Sequence, residues 1–165
     1  TTDLHHHLKT LKPGITVVMQ GLADPANVGS IIRNAAAFGA SLVIADPKGA
    51  SPFTRKAGRA SAGHIFSVPI AVADPADAII AIRENSRDTE VIATTGHPDA
   101  APMESLEHSA HKVLIFGNEG VGVSPELREI ADSCRTVRLA DNVDSLNAAA
   151  ASALVLYLTR ESIRT

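Results

Sequence analysis

The sequence predicts an α/β fold: a largely parallel sheet with helices on both faces. Three observations carry this. Short apolar runs alternate along the chain with longer stretches of helical period. Most of those runs lack strict polar–apolar alternation, as strands covered on both faces do. Polar or glycine-rich segments recur where a run hands over to a helix, the place where open α/β sheets bind ligands.

Taken in order, residues 1–14 read as a leading helix or linker that ends at Pro13-Gly14. Strands are expected at Ile15–Met19, Leu42–Ala45, Ile65–Ile70, Val91–Thr94, Val113–Phe116 and Thr136–Leu139. Helices are expected at Val28–Phe38, Pro75–Glu84, Pro125–Asp132 and Leu146–Glu161. The first of these follows an Asp24-Pro25 turn and stops at Gly39. Val28, Ile31, Ile32, Ala35 and Phe38 form its apolar face, and Asn27, Ser30, Arg33 and Asn34 fall broadly opposite. Ser124-Pro125 reads as a cap followed by Pro at the first helical position. Ser145 reads as the cap of the last helix, with Asp144 near its positive end and Asn147 just inside. Ala148–Ala151 and Ala153 give that helix a small-residue surface for close packing.

Composition bounds the function. A chain of 165 residues with 45% hydrophobic content is most simply one globular domain. With no Trp and one Tyr, wide aromatic platforms for bare bases are not expected. The single cysteine, Cys134, forms no internal disulfide, fits a reducing cytoplasm and reads as a packed apolar residue. No run approaches the ~20 apolar residues of a membrane helix, and no secretory signal is visible. The net charge of −3 argues against simple electrostatic coating of nucleic acid. It leaves room for a local patch: Phe53 to Gly63 holds Arg55, Lys56 and Arg59 and no acid, either a phosphate-contacting cluster or a solvated face. His64, His97, His108 and His111 lack metal-ligand spacing, and His5-His6-His7 reads as a polar tract, so no metal is assigned.

Three segments carry the chemistry. In Asp24–Ala40, Asn27 and Arg33 are site candidates, whereas Ser30 and Asn34 read as exposed helix surface. In Gly117-Asn-Glu-Gly-Val-Gly122, three glycines permit tight turns and close ligand approach. The spacing is GxxGxG rather than GxGxxG, and no Gly-Lys-Ser/Thr follows, which disfavours NAD binding and ATP hydrolysis. A plain glycine turn accounts for everything in this segment except Glu119. In Asp144-Ser-Leu-Asn147, helix-start signals explain Asp144 and Ser145 but not Asn147.

Together, Asn27-x-Gly29-x-x-x-Arg33, Phe116-Gly117-Asn118-Glu119-Gly120-x-Gly122 and Ser145-Leu146-Asn147 resemble the three motifs of the SpoU/TrmH family. These are RNA ribose 2′-O-methyltransferases of the SPOUT superfamily that use S-adenosylmethionine. The similarity runs from about Ile15 to Tyr157 and includes Arg59-Ala-Ser-Ala-Gly63. It implies a catalytic domain over 15–165 with a C-terminal trefoil knot, a homodimer, cofactor in the knot and RNA near the dimer interface. Cofactor contact then falls on Gly96, Gly117, Leu139 and Leu146, largely through backbone groups. Asn27, Arg33, Glu119, Ser145 and Asn147 match catalytic and substrate-handling positions, and Arg55, Lys56 and Arg59 are the RNA-contact candidates.

The resemblance makes Arg33 the family's base position; a guanidinium stays protonated, so phosphate binding and orientation are its first role and base action needs phosphate assistance, with Glu119 holding it or a ribose hydroxyl. The segment Val137-Arg-Leu-Ala-Asp-Asn142 departs from the family's Ile-Pro-Met pattern and is shorter, which makes Val137 the alternative to Leu139. It also keeps open a second reading, a non-catalytic RNA-binding or assembly protein with the same fold. The family's frequent N-terminal RNA-binding domain is absent from the sequence, as in an isolated catalytic domain or a short member.

Overall fold

The structure, a computed structural model, describes residues 3–97, 99–106, 108–140 and 146–164. Among the described residues, seven strands form one sheet in the order β3-β2-β1-β6-β4-β7-β5, with every pairing parallel. They are β1 Gly14–Met19, β2 Leu42–Ala45, β3 Ile70–Val72, β4 Thr89–Thr94, β5 Ala101–Pro102, β6 His111–Phe116 and β7 Ser133–Thr136. The helices are α1 Leu4–Leu8, α2 Pro25–Ala37, α3 Arg55–Ala60, α4 Pro75–Asn85, α5 Pro125–Ile130 and α6 Ala148–Arg164.

The helix starts follow one local rule. Asp24, Asp74 and Ser124 each accept a backbone N–H from the first turn, and each is followed by Pro at the first helical position. The cap satisfies an orphan donor, and Pro has no N–H to leave unpaired there. Thr54 caps α3 in the same way, through Ala57 N.

Side-chain alternation divides the strands between two cores. Ile15, Val17 and Met19 face a layer with Val28, Ile31, Ile32, Ala57, Val155 and Leu156, so α2, α3 and α6 cover one face. Val18, Ile44 and Ile115 face Leu8, Ala78, Ile79, Ile82 and Leu127, so α1, α4 and α5 cover the other. Strands buried on both sides need no polar face, which is why their sequences read as continuous apolar runs. Cys134 packs at the margin of the second core as a small apolar residue.

At the amino end of β6, two polar side chains enter the interior with partners. Lys112 is fully buried and bonds Glu90 and Ser109, while His111 Nε2 lies 2.9 Å from Thr16 Oγ1. Burial holds the His111 pKa below its ordinary value. Among the described residues, no helix is long and apolar enough to cross a membrane.

Several boundaries differ from expectation. Ile65–Ile70 is not a strand: His64–Phe66 forms a 3₁₀ turn behind Gly63, whose φ is +83°, and β3 starts only at Ile70. The left-handed glycine turns the chain before it can extend. The last expected strand, Thr136–Leu139, lies earlier, at Ser133–Thr136, because Asp132 ties the chain to β4 there. Its carboxylate accepts from Val91 N at 2.7 Å, and its own N–H bonds Val91 O. That tie also ends α5 at Ile130 rather than Asp132. α3 and β5 are too short to produce a period in the sequence.

Candidate active site

β1 and β6 are neighbours in the sheet, so the segments that leave their carboxyl ends meet. Gln20 N bonds Phe116 O at 2.8 Å, and Gln20 Oε1 accepts from Ser124 N at 2.9 Å, closing the glycine loop against the end of β1. Asn118 Nδ2 donates to Gly21 O at 2.8 Å. Its Oδ1 accepts from Gly120 N and Val121 N, which folds the loop back on itself. Gly117 has no alternative in this fold: an added Cβ would collide with the backbone of Gly122 and Val123.

That framework presents Glu119 to the first turn of α2. Its Oε1 accepts from Asn27 Nδ2 at 2.9 Å, and its Oε2 from Ala23 N at 3.2 Å. Asn27 Oδ1 in turn accepts from Asn147 Nδ2 at 3.3 Å, and Asn147 Oδ1 accepts from Ala149 N at 2.9 Å. A carboxylate can only accept and a helix N–H can only donate, so the two ends fix both amide orientations. The chain Glu119–Asn27–Asn147 therefore joins the three sequence segments. Partial burial pushes the Glu119 carboxyl pKa up; hydrogen bonds from Asn27 and from backbone N–H groups outweigh it, and the net position is below the ordinary value.

Asn147 stands at the N-cap of α6, which starts at Ala148, rather than inside the helix as expected. The cap expected at Ser145 lies outside the described residues, as does Asp144. Asn34 is not exposed surface. It is half-buried, and its Nδ2 reaches Ala149 O and Ser152 Oγ, both at 2.8 Å. Seven residues separate Asn27 from Asn34, nearly two turns, so both point at α6. Sequence reading missed this seam, and the spacing was the available signal. Ser30 is half-buried and is not part of the seam.

Arg33 lies elsewhere. It is exposed and makes no hydrogen bond or ion pair among the described residues. Six residues place it about 120° around α2 from Asn27. Of the two roles open to Glu119, the contact with Arg33 is not made; Asn27 donates to that carboxylate instead.

The cofactor candidates gather at adjacent strand ends. Gly117 follows β6, Gly96 lies just beyond β4, and Val137 and Leu139 follow β7, three strands side by side. Leu146 is partly exposed just ahead of α6, while Val137 packs against the core and Leu139 is half-buried.

The basic candidates sit on α3, where Arg55, Lys56 and Arg59 are all exposed. Gly29 brings this helix close: a Cβ there would overlap Ala57 O and lie 2.8 Å from Ala60 Cβ. Lys56 Nζ is 2.7 Å from Asp24 Oδ1 at the α2 cap, and its hydrogen bond, with that from Ala26 N, lowers the Asp24 pKa.

The fold is thus that of a parallel α/β protein, and three loop–helix junctions meet at the carboxyl edge of its sheet to form the candidate site. The SpoU rRNA methylase family model matches residues 14–157, and the chain belongs to that family. An uncharacterized tRNA/rRNA methyltransferase of Mycobacterium ulcerans is 32% identical over 154 residues, 93% of this chain and 49% of that protein. The chain therefore spans about half the length of that relative. The SpoU methyltransferase AviRb from Streptomyces viridochromogenes, solved with AdoMet, superposes with a TM-score of 0.86 at 29% identity, covering 98% of this chain and 64% of that one. A structure described as an RNA 2′-O ribose methyltransferase superposes at 0.79 with 26% identity, covering 92% and 57%.

Proposed function

We propose that the chain is an S-adenosylmethionine-dependent methyltransferase acting on the ribose 2′-oxygen of an rRNA or tRNA. The observation that carries the reading is the Glu119–Asn27–Asn147 chain, which draws three separate segments to one point beside Gly117. Family membership supports methyl transfer to RNA. The AdoMet-bound neighbour supports the cofactor, and the ribose methyltransferase neighbour supports the position methylated.

The residues present fit that cofactor. Gly96 and Gly117 offer backbone groups without side chains in the way, and Leu139, Val137 and Leu146 offer apolar surface for an adenine ring. When bound, S-adenosylmethionine supplies an electrophilic methyl group. The interleaving of β6 and β7 between earlier strands supports the C-terminal trefoil knot.

The ribose hydroxyl must be aligned and must lose its proton as its oxygen gains carbon. Asn27, Glu119 and Asn147 form a fixed polar surface for the hydroxyl, with Ser145 the fourth candidate. A guanidinium offers only donors, so Arg33, without a partner among the described residues, binds phosphate and orients the nucleotide; proton removal passes to a phosphate oxygen or water. Arg33's separation from Glu119 within one chain supports a homodimer in which a second copy brings the parts together. Leu154 and Tyr157, 42% and 51% exposed on α6, supply an apolar contact face for it.

Titration calorimetry with S-adenosylmethionine tests the reading against the non-catalytic alternative. Saturable binding is expected. Its absence in a protein that binds RNA would favour the alternative.

A further inference from the structure

Two of the chain's four phenylalanines face water, and they bracket one helix. Phe53, 51% exposed, immediately precedes the α3 cap Thr54; Phe66, 88% exposed, ends the 3₁₀ turn that follows α3. Together with Ile65, Val68 and Ile70 they line one open groove of about 660 Å³. Between them, α3 turns Arg55 and Arg59 outward, with no partner for either among the described residues. Lys56 links the same helix to the cap of α2, two residues before Ala26-Asn27. Aromatic faces and cations thus flank α3, and α2, the helix to which Lys56 ties it, carries Asn27.

Two physical arguments identify the occupant. The net charge of the chain is −3, so the cations across Phe53 to Gly63 run against the overall balance; with Lys56 paired to Asp24, Arg55 and Arg59 are the two that complement a polyanion. Exposed aromatic faces beside those cations suit unpaired bases, because a duplex hides its base faces and presents backbone. The backbone turn that carries Phe66 is also fixed before any ligand arrives. Ser67 Oγ donates to His64 O at 3.1 Å and lies 2.9 Å from His64 Nδ1, which locks the turn and lowers the ordering cost of binding. The scarcity of aromatic residues excludes a wide platform but not this narrow one.

We infer that this surface holds the single-stranded RNA flanking the methylated nucleotide, with bases stacked on Phe53 and Phe66 and phosphates over Arg55 and Arg59. The inference rests on the RNA reading above and names the form of RNA it takes.

The test uses the whole chain and a mixed-sequence RNA of about 12 nucleotides carrying 2-aminopurine, single-stranded or annealed to its complement. Anisotropy gives affinity, 2-aminopurine quenching reports stacking, and calorimetry with S-adenosylmethionine checks each variant for an intact fold. The expected result is preference for the single strand and quenching on binding. Phe66→Ala should weaken RNA binding roughly 5- to 100-fold with cofactor affinity unchanged, and Phe66→Trp should retain it. Arg55→Ala/Arg59→Ala should lower the salt dependence of binding. RNA binding by wild type that Phe53→Ala/Phe66→Ala leaves intact overturns this inference alone, as does preference for duplex or full rescue by Phe66→Leu. Failure of the wild-type chain to bind either RNA overturns the inference and the RNA reading together.

Discussion

Replacing Gly29 with Ala sets two effects of opposite sign against each other. In an unobstructed helix the change stabilises by about 1 kcal/mol, because Gly costs that much more backbone entropy than Ala. Here the new methyl meets the backbone of α3. It overlaps Ala57 O and sits 2.8 Å from Ala60 Cβ, where no rotamer change can relieve it. α3 must move by on the order of 1 Å, and overpacking of this kind costs up to about 3 kcal/mol. The clash wins by up to about 2 kcal/mol, which for a domain of this size lowers the melting temperature by as much as roughly 4–8 °C. Thermal melts of Gly29→Ala followed by circular dichroism measure it. A variant that melts at or above wild type would refute the reasoning, since α3 would not then rest on α2 at that point.

Other substitutions separate the site residues. Arg33→Ala should reduce single-turnover methylation on the order of 100-fold or more with cofactor affinity nearly unchanged, and Arg33→Lys should rescue poorly because an ammonium lacks the planar fork. Near-normal turnover by the Ala variant removes Arg33 from the site. Asn34→Ala removes both hydrogen bonds from Asn34 Nδ2 to α6, while Ala149 O keeps its bond from Ser152 Oγ, and should cost about 1 kcal/mol in urea unfolding; no loss would mean the α2–α6 seam is slack. The Glu119 carboxyl titrates below its ordinary value, so its stabilising contribution is complete above the ordinary carboxylate range and is lost as pH falls through the lowered value. Carbon-detected NMR titration should show the low midpoint in wild type and a rise in Asn27→Ala, and equal midpoints would count against the Asn27 contact.

Much of the architecture was legible because strand and helix periods differ and because Asp-Pro and Ser-Pro pairs mark helix starts. Gly14–Met19, Leu42–Ala45 and His111–Phe116 match their apolar runs closely. β7 was misplaced because Ser133-Cys-Arg-Thr136 carries little apolar signal and its register depends on Asp132 reaching Val91. The motifs located the site, but contacts between distant segments were beyond the reach of spacing. Of the two roles open to Glu119, holding Arg33 or a ribose hydroxyl, the first is not seen, and neutral Asn27 meets the carboxylate instead. Asn34 was misjudged because a polar residue opposite an apolar face reads as solvated until a second helix covers it. Gly29 was noted only as part of a motif; the approach of α3 gives it a physical reason.

The central claim is methyl transfer to a ribose 2′-oxygen, and the product tests it most directly. RNA is incubated with the protein and methyl-labelled S-adenosylmethionine, then digested with alkali. Alkali cleaves RNA through the free 2′-hydroxyl, so a 2′-O-methyl group protects the adjoining phosphodiester. The account predicts label in alkali-resistant dinucleotides, abolished in Arg33→Ala. Label confined to mononucleotides, or no label in a protein that binds both cofactor and RNA, would contradict it.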